Sequence, residues 1–251
     1  MTSRGTADDP LMDLHTASAY ALPSQEWALA TRQGSLVVFV ATDAWSQWVP
    51  EAFALLDVVE CGRVQRKQRR DDRDITTLAY ACHRLVLSAV LGCPPGEVPL
   101  GRDTLGCPRL ADDRVRTSLS HADGLVAIAV SCVGRVGIDI EPVARAGAMA
   151  EIATRVCHPR ELVALSRLSG SERTRALLSL WVCKEALLKA AGIGLAVDME
   201  QFEAPVDRTL PLPGGVPGTA IVRLFDGDDR FLAALAGPPG GITSAWLPPP
   251  A

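Results

Sequence analysis

The sequence predicts an α+β fold, in which helices and strands fall in separate runs along the chain. Short apolar runs rich in valine, isoleucine and alanine are typical of buried strands. Longer stretches with apolar residues three and four positions apart are typical of helices. In both halves of the 251-residue chain a helix precedes strands, and a content of 48% apolar residues is enough for a sizeable core.

The first half is predicted to hold one strand and two helices, at 35–41, 51–63 and 75–91. Residues 1–30 show no sustained periodicity, and we expect a loosely ordered extension there. A charged run at 63–74 separates the two helices. The second helix is expected to end at Gly92, which opens the turn sequence GCPPG.

The second half is predicted to hold more strands and a long helix. Gly134 lies between two apolar runs and predicts that they form a β-hairpin. Gly192 predicts the end of the long helix. The expected strands are at 125–131, 136–141, 220–225, 231–236 and 242–247, and the expected helices at 148–156, 159–168 and 171–191.

Composition and charge exclude several classes of protein. A net charge of −4 and a pI of about 5.6 argue against a general affinity for nucleic acid or an anionic membrane. No apolar run approaches the ~20 residues of a membrane span. The polar N-terminus lacks the order of a signal peptide, so we expect a cytoplasmic protein. The seven cysteines occur singly, which argues against a disulfide framework or a cysteine-rich zinc site.

Two acidic residues in the run VGIDIE are the first candidates for chemistry. Alternation along a strand places Asp139 and Glu141 on one face, roughly 7 Å apart, and Ile138 and Ile140 on the other. Like charges this close repel unless a cation lies between them. The pair is therefore either a solvated strand face or a site for a hard cation such as Mg²⁺. Gly137, on the same face, would leave room for a ligand.

A second candidate is the helical segment WVCKEALLK. Only three of the 25 basic residues are lysine, and two of them, Lys184 and Lys189, lie in this segment. At about 100° per residue, these lysines, Glu185 and Trp181 fall within an arc of roughly 140°. Glu185 and Lys189 either form an ordinary helix ion pair or supply a further carboxylate for the cation and an ammonium for a phosphate.

A third candidate is Ser120-His121, ahead of the predicted strand at 125–131. His121 is either an ordinary turn histidine or a donor to an anionic ligand. The sequence contains no Walker phosphate loop, no G-x-G-x-x-G, no H-E-x-x-H and no G-x-S-x-G elbow. These absences argue against the corresponding nucleotide-binding proteins, zinc proteases and serine hydrolases.

In their order and spacing these segments resemble the Sfp-type 4′-phosphopantetheinyl transferases. The matching segments are Ser120-His121, GIDIE at 137–141 and W-x-x-K-E-A-x-x-K at 181–189, with Gly106-x-Pro108 resembling the family's first motif. The resemblance covers roughly residues 55–202. It implies a pseudo-dimer of two similar α+β subdomains, here at 31–135 and 136–251, with the active site in the cleft between them.

The resemblance also implies an activity and its residues. The family transfers 4′-phosphopantetheine from coenzyme A to a serine of a carrier protein and releases 3′,5′-ADP. Asp139, Glu141 and Glu185 would bind Mg²⁺. The implied catalytic residues are Glu161 as general base, Glu185 and Lys189. The implied contacts to coenzyme A are Arg63, Arg66, Gly106, Pro108, Ser120, His121, Lys184 and Lys189.

Some of these contacts have alternative interpretations, and one neighbouring position departs from the family's pattern. Lys184 is expected either to bind phosphate or to support Glu185. Arg63 and Arg66 either hold the 3′-phosphate or belong to an ordinary solvated loop. The family's usual Gly-Lys-Pro contains Cys107 here, so that a lysine near the nucleotide is lost, and the adjacent Arg109 is a candidate to replace it.

We therefore expect a magnesium-dependent, monomeric phosphopantetheinyl transferase. Its partners would be acyl or peptidyl carrier proteins of polyketide or nonribosomal peptide assembly lines. One alternative is a catalytically silent homologue that binds coenzyme A or a carrier protein without transfer. The other is an unrelated Mg²⁺-dependent phosphotransferase.

Overall fold

The computed structural model describes residues 22–194 and 196–250 and places ten strands there in three sheets. The strands are β1 (Gly34–Ala41), β2 (Leu100–Arg102), β3 (Pro108–Leu110), β4 (Arg116–Ala122), β5 (Leu125–Ser131), β6 (Gly137–Pro142), β7 (Thr209–Pro211), β8 (Thr219–Asp226), β9 (Phe231–Gly237) and β10 (Gly241–Trp246). The sheets have the orders β10-β1-β5-β4, β2-β3 and β6-β9-β8-β7. Paired strands are antiparallel, except that β10 runs parallel to β1.

Seven helices accompany these strands in the described ranges. They are α1 (Ser24–Gln33), α2 (Val49–Ala54), α3 (Val58–Gln65), α4 (Arg70–Leu91), α5 (Ala153–Val156), α6 (Pro159–Leu165) and α7 (Gly170–Ala191). The two longest, α4 and α7, have 22 residues each and end at Gly92 and Gly192, both in the left-handed conformation. Both predicted helix ends are thus confirmed. No helix of residues 22–194 and 196–250 has the length and apolar character needed to cross a membrane.

Packing arranges the main elements in layers. Apolar residues of α4, such as Leu85, cover one face of the β10-β1-β5-β4 sheet. Residues of α7, such as Leu187, cover one face of the β6-β9-β8-β7 sheet. The uncovered faces meet each other, and Phe39 of β1 packs there with Ile138 and Ile140 of β6. This arrangement confirms the predicted α+β class.

The N-terminal prediction is wrong for the residues that the structure describes. Helix α1 begins at Ser24, and its Trp27 is only 2% exposed, within the same apolar core as α4. A short helix that buries one tryptophan among polar residues leaves little periodicity in the sequence. The remainder of the predicted extension, 1–21, lies outside the described residues.

The predicted hairpin is also wrong, although both of its strands form. β5 is bonded on both sides, to β1 and to β4, whereas β6 pairs with β9 in the other sheet. The chain therefore crosses from one sheet to the other at the predicted turn. β10, which falls within the predicted C-terminal subdomain, returns to pair with β1 in the first sheet.

Helix α7 crosses β6 in very close contact at Gly137. An ideal Cβ built on Gly137 would lie 2.1 Å from the carbonyl oxygen of Ala186 and 2.3 Å from the amide nitrogen of Ala190. The space that the sequence suggested for a ligand is therefore filled by the helix, and that interpretation is wrong. Gly137 sets how closely α7 brings its side chains to the neighbouring residues of β6.

Gly137→Ala is expected to lower the free energy of unfolding by about 1–3 kcal/mol, because the added methyl group overlaps helix backbone that cannot rotate away. Urea denaturation measures this change. Gly147→Ala is the matched control, since an ideal Cβ there meets nothing within 4 Å. Equal stability of the two variants would contradict the close packing of α7 on β6.

Candidate active site

Asp139 and Glu141 lie on the face of β6 that α7 covers. Both side chains are buried, and the residues are only 4% and 7% exposed. Ile138 and Ile140 point the other way, into the layer between the two sheets. The alternation predicted from the sequence is thus confirmed, and the alternative of a solvated strand face is wrong.

Lys189 of α7 connects Asp139 to β4, the edge strand of the β10-β1-β5-β4 sheet. Its Nζ donates to Asp139 Oδ1 at 2.7 Å and to Ser120 Oγ at 2.9 Å. Ser120 Oγ in turn donates to the same carboxylate oxygen at 2.8 Å. The neighbouring Ser118 Oγ accepts from the backbone N–H of Ile138 at 3.1 Å. These bonds join β4 to β6, so that residues from both halves of the chain meet here.

Arg145 neutralises the second carboxylate of β6. Its Nη1 donates to both carboxylate oxygens of Glu141 at 2.7 Å. Arg145 belongs to the 3₁₀ segment Val143–Ile152, directly after β6, and its side chain is 46% exposed. The sequence analysis missed this residue, for which the only signal was a cation four positions after Glu141.

Glu185 of α7 lies near enough to the β6 pair to be affected by its charge. Burial and then the charge of Asp139 raise the pKa of Glu185 to about 7; Lys189 opposes this rise and Glu141 adds to it. Burial and the charge of Asp139 also raise the pKa of Glu141, while Arg145 lowers it. Glu185 is thus within electrostatic range of the two acidic residues of β6.

The three carboxylates fit a hard cation by their chemistry. Oxygen donors of this kind suit Mg²⁺, and Oδ2 of Asp139 is buried without a hydrogen-bond partner. Over residues 22–194 and 196–250, no three Asp, Glu, His or Cys side chains lie close enough together to hold a metal ion as they stand. Lys189 and Arg145 contact the oxygens that a divalent ion would use.

A cavity of about 230 Å³ opens beside these residues. Glu185 and Lys189 line it from α7, and the turn from Gly106 to Pro108 lines it from the β2–β3 hairpin. Gly106 has a φ of +84°, and an ideal Cβ on it would lie 2.8 Å from Nη2 of Arg63. Arg63 thus lies against the turn, although it is not among the residues that line the cavity. Arg66 is exposed at the end of α3 and does not line the cavity.

Positive charge prevails along the described walls of this cavity. Glu185 is the one carboxylate there, against the cations Arg102, Arg109, Arg116, Arg135 and Lys189. Such a lining favours a ligand that carries several negative charges.

His121 is held neutral close to several cations. Burial, followed by the charges of Lys67, Lys189 and Arg102, lowers its pKa to about 4. An anion bound near the imidazole would relieve this repulsion and favour its protonated form.

Comparison with known proteins identifies the family. The sequence model described as the 4′-phosphopantetheinyl transferase superfamily matches residues 135–214. The chain is 30% identical over 188 residues to the 4′-phosphopantetheinyl transferase HetI of a Nostoc species, a match that covers 73% of this chain and 78% of that relative. The chain belongs to the 4′-phosphopantetheinyl transferase family.

A second relative agrees with this membership, and one solved structure is also similar to part of the chain. A 4′-phosphopantetheinyl transferase of Bacillus subtilis is 26% identical over 178 residues, covering 69% of this chain and 78% of that relative. A crystal structure of a holo-(acyl-carrier-protein) synthase from Bacillus anthracis in complex with CoA (3′,5′-ADP) is 24% identical, with a TM-score of 0.30, over 41% of this chain and 93% of that one. The resemblance drawn from the sequence, and the prediction of an enzyme, are confirmed.

Lys184 lies in the core of this phosphopantetheinyl transferase. Lys184 is fully buried, and its Nζ contacts Glu161 Oε2 at 2.6 Å. The same ammonium donates to the carbonyl oxygens of Met199 and Phe202 at 2.8 and 2.7 Å. The expected phosphate contact of Lys184 is therefore wrong, because its three protons already have acceptors away from the cavity.

Glu161 belongs to the same buried cluster and does not line the cavity. Its two oxygens accept from the backbone N–H groups of His158 and Ala204 at 2.8 and 3.0 Å. The first of these bonds belongs to the capping box that begins α6. Nothing in this geometry supports Glu161 as the general base, and it holds α6 to α7 through Lys184.

Arg109 does not replace the lysine that this family member lacks at Cys107. Its guanidinium is paired with Asp103 at 3.0 Å and lies against Gly192 at the end of α7. It therefore has a carboxylate partner already. The sequence analysis assigned no role to Arg102, which lines the same cavity.

His121 is expected to make the protein less stable in acid. The unfolded imidazole takes up a proton near its ordinary pKa of 6.5, whereas the folded one stays neutral down to about pH 4. Between these values the unfolded state binds more protons, so stability that is present above about pH 6.5 is lost as the pH falls. Between pH 7.5 and 5.5 this loss is about 1 kcal/mol.

Urea denaturation of the wild type and of His121→Asn at the two pH values measures this loss as the difference between their pH dependences. The raised pKa of Glu185 opposes the loss and the lowered pKa of His83 adds to it, but both act equally in the two proteins. The variant should lack this part of the pH dependence. His158→Asn, which changes a partly exposed histidine outside the cavity, should retain it. The same pH dependence in wild type and His121→Asn would contradict a buried neutral imidazole.

Proposed function

We propose that the protein transfers the 4′-phosphopantetheinyl group of coenzyme A to a serine of an acyl or peptidyl carrier protein, in a reaction that requires Mg²⁺. The carriers we propose are those of polyketide or nonribosomal peptide assembly lines. The observation that carries the proposal is the buried ion pair of Lys189 with Asp139 beside a cationic cavity that Glu185 and Lys189 line. Membership of the family supports the reaction type.

The cavity suits coenzyme A by charge. Coenzyme A carries a diphosphate and a separate 3′-phosphate, and phosphates are bound by Arg, Lys and neutral donors such as imidazole. Lys189 and the cations of the cavity wall supply the first kind of partner. His121, which lies on β4 and is affected by the charge of Lys189, would supply the second. In this proposal the diphosphate lies at the Lys189 end, next to the carboxylates.

Asp139, Glu141 and Glu185 would hold Mg²⁺ at that end of the cavity. When bound, the ion would draw negative charge from the diphosphate oxygens and hold them in position. The unpartnered Oδ2 of Asp139 supports this assignment, because a buried carboxylate oxygen without a donor is otherwise unfavourable.

The serine oxygen of the carrier forms a bond to the phosphorus that bears the pantetheine group. The bond from that phosphorus to the bridging oxygen breaks, and 3′,5′-ADP leaves with the electron pair. Lys189 stabilises the charge that develops on the phosphate oxygens. The serine proton needs an acceptor inside the cavity, and Glu185 is the one carboxylate among its described lining residues. We therefore assign that proton to the carboxylate oxygen of Glu185 that does not hold the ion, in place of Glu161.

Asp139→Asn is expected to reduce transfer by about 10²–10³-fold, because it removes charge that positions both the metal and Lys189. The assay incubates the protein with coenzyme A, Mg²⁺ and an apo-carrier protein and weighs the carrier by mass spectrometry. The control is Asp226→Asn, which changes an exposed carboxylate on β8 that is paired with Arg175 of α7. Full activity of Asp139→Asn would contradict the metal assignment.

The same assay on the wild type separates the proposed enzyme from a silent homologue. Transfer to any carrier supports the proposal. Binding of coenzyme A without added mass on several different apo-carriers would favour a protein that binds but does not transfer.

Glu161→Gln is expected to lower the free energy of unfolding by about 3 kcal/mol, because it leaves the buried Lys184 ammonium without its counter-ion. Transfer per folded molecule should change less than about threefold, whereas loss of a general base slows a reaction by about 10²–10⁴-fold. Urea denaturation and the carrier assay measure the two effects. Glu203→Gln, which changes a partly exposed carboxylate near α6, should alter neither. A large loss of transfer with unchanged stability would restore Glu161 as the base.

A further inference from the structure

Arg145 holds Glu141 in a way that differs from an ordinary bidentate arginine pair. One nitrogen, Nη1, donates to both carboxylate oxygens at 2.7 Å, so it lies midway between them. The usual bidentate pair uses two guanidinium nitrogens, one for each oxygen, and is stronger. The point midway between the two oxygens is also where a cation lies when a carboxylate binds it through both. Arg145 therefore occupies a position that a metal ion could take at Glu141.

The guanidinium of Arg145 is held by this one carboxylate. Among the described residues no further acceptor binds it, and its side chain is 46% exposed. Arg84 shows the opposite case, because its side chain is 3% exposed and donates to two carboxylates and two backbone carbonyl oxygens. To leave Glu141, Arg145 has to break its contacts with a single group, and water can solvate its charge afterwards.

The backbone on both sides of Arg145 is fixed to the rest of the protein. On one side the amide of Val143 donates to the carbonyl oxygen of Arg230 at 3.1 Å. On the other side Met149 is 5% exposed and belongs to the core that α7 shares. The side chain of Arg145 can therefore move while the 3₁₀ segment Val143–Ile152 stays in place.

The two carboxylates of β6 differ in what they offer an ion. Lys189 contacts one oxygen of Asp139, and Oδ2 of that carboxylate is buried without a partner. Arg145 contacts both oxygens of Glu141. An ion can therefore reach Asp139 directly, whereas the position between the oxygens of Glu141 opens only when Arg145 leaves.

We propose that Arg145 competes with the divalent ion for Glu141 and leaves this carboxylate when the ion binds, so that it sets the affinity of the site for the metal. This inference rests on the proposed function, which assigns Mg²⁺ to Asp139, Glu141 and Glu185. The apparent dissociation constant of the metal is then the intrinsic one divided by the fraction of molecules in which Glu141 is unpaired. A tighter pair with Arg145 therefore means weaker metal binding.

The first measurement follows the Arg145 side chain in the wild-type protein. Phenylglyoxal modifies unpaired guanidinium groups, and digestion followed by mass spectrometry gives the rate at each arginine. The rate is measured in EDTA and in saturating Mg²⁺, each with and without coenzyme A. Mg²⁺ should raise the rate at Arg145 about three- to tenfold, the range for a partly exposed carboxylate pair, and coenzyme A without the metal should not. Arg230, which is exposed and has no carboxylate partner among the described residues, should react equally in EDTA and in Mg²⁺.

The second measurement is the dissociation constant of Mg²⁺, determined by calorimetry for the wild type, Arg145→Gln and Arg155→Gln. Arg145→Gln should bind Mg²⁺ more tightly by the same factor as above, because one pairing equilibrium governs both results. Arg155→Gln is the matched control, since it removes an equal charge from the exposed end of α5, where Arg155 contacts no carboxylate of the described residues. It should change the dissociation constant less than about twofold. Equal tightening in both variants would mean that net charge alone sets the affinity, and would overturn the inference.

Thermal unfolding of each variant shows whether it is folded. If Arg145→Gln does not fold, the modification rate in the wild type decides. Mg²⁺ that binds without changing the rate at Arg145 overturns this inference alone. Unchanged or weaker binding of Mg²⁺ by a folded Arg145→Gln also overturns it, because a purely supporting role of Arg145 predicts that result. A wild type that binds no Mg²⁺, with or without coenzyme A, overturns the metal requirement of the proposed function itself.

Discussion

Three acidic side chains can share a buried cleft only if positive charge accompanies them. A buried carboxylate without a cation or donors is strongly unfavourable, and neighbouring carboxylates add mutual repulsion. Lys189 compensates Asp139, and Arg145 compensates Glu141. Glu185 has no ion pair in the part of the chain that the structure describes, and burial, followed by the charge of Asp139, raises its pKa. The site thus holds an excess of negative charge that a divalent ion would remove.

Helix α7 supplies one of these cations, and its two lysines have different roles. They are five residues apart, so their side chains leave the helix about 140° apart. Lys189 points to the cleft, and Lys184 is buried with Glu161 and the chain that follows α7. The second contact anchors the helix, and the close approach at Gly137 sets its distance from β6. The core and the active site therefore depend on the same helix.

The sequence predicts what is local in this molecule and misses what depends on distant partners. Alternation in β6 is a property of six consecutive residues, so the common face of Asp139 and Glu141 could be predicted. Strand partners are not encoded locally, so Gly134 suggested a hairpin where the chain changes sheets. Arg102 stood in no recognisable motif, and its place in the cavity wall depends on the β2–β3 hairpin, Tyr80 and Glu60 meeting around it. Helical periodicity placed Lys184 and Lys189 on one side of α7. It could not show which residues pack against that side, and so it could not separate the buried Lys184 from Lys189 at the cleft.

The contact between Lys189 and Asp139 also connects anion binding with metal binding in the proposed reaction. Lys189 now donates to a carboxylate oxygen that a divalent ion would use. If a diphosphate accepted from Lys189 instead, this oxygen would join the unpartnered Oδ2 of Asp139 in being open to the ion that we propose here. Binding of each ligand would then favour binding of the other, and by thermodynamic linkage the effect would be equal in both directions. As the structure stands, the ion pair between helix and strand compensates the buried charge of Asp139.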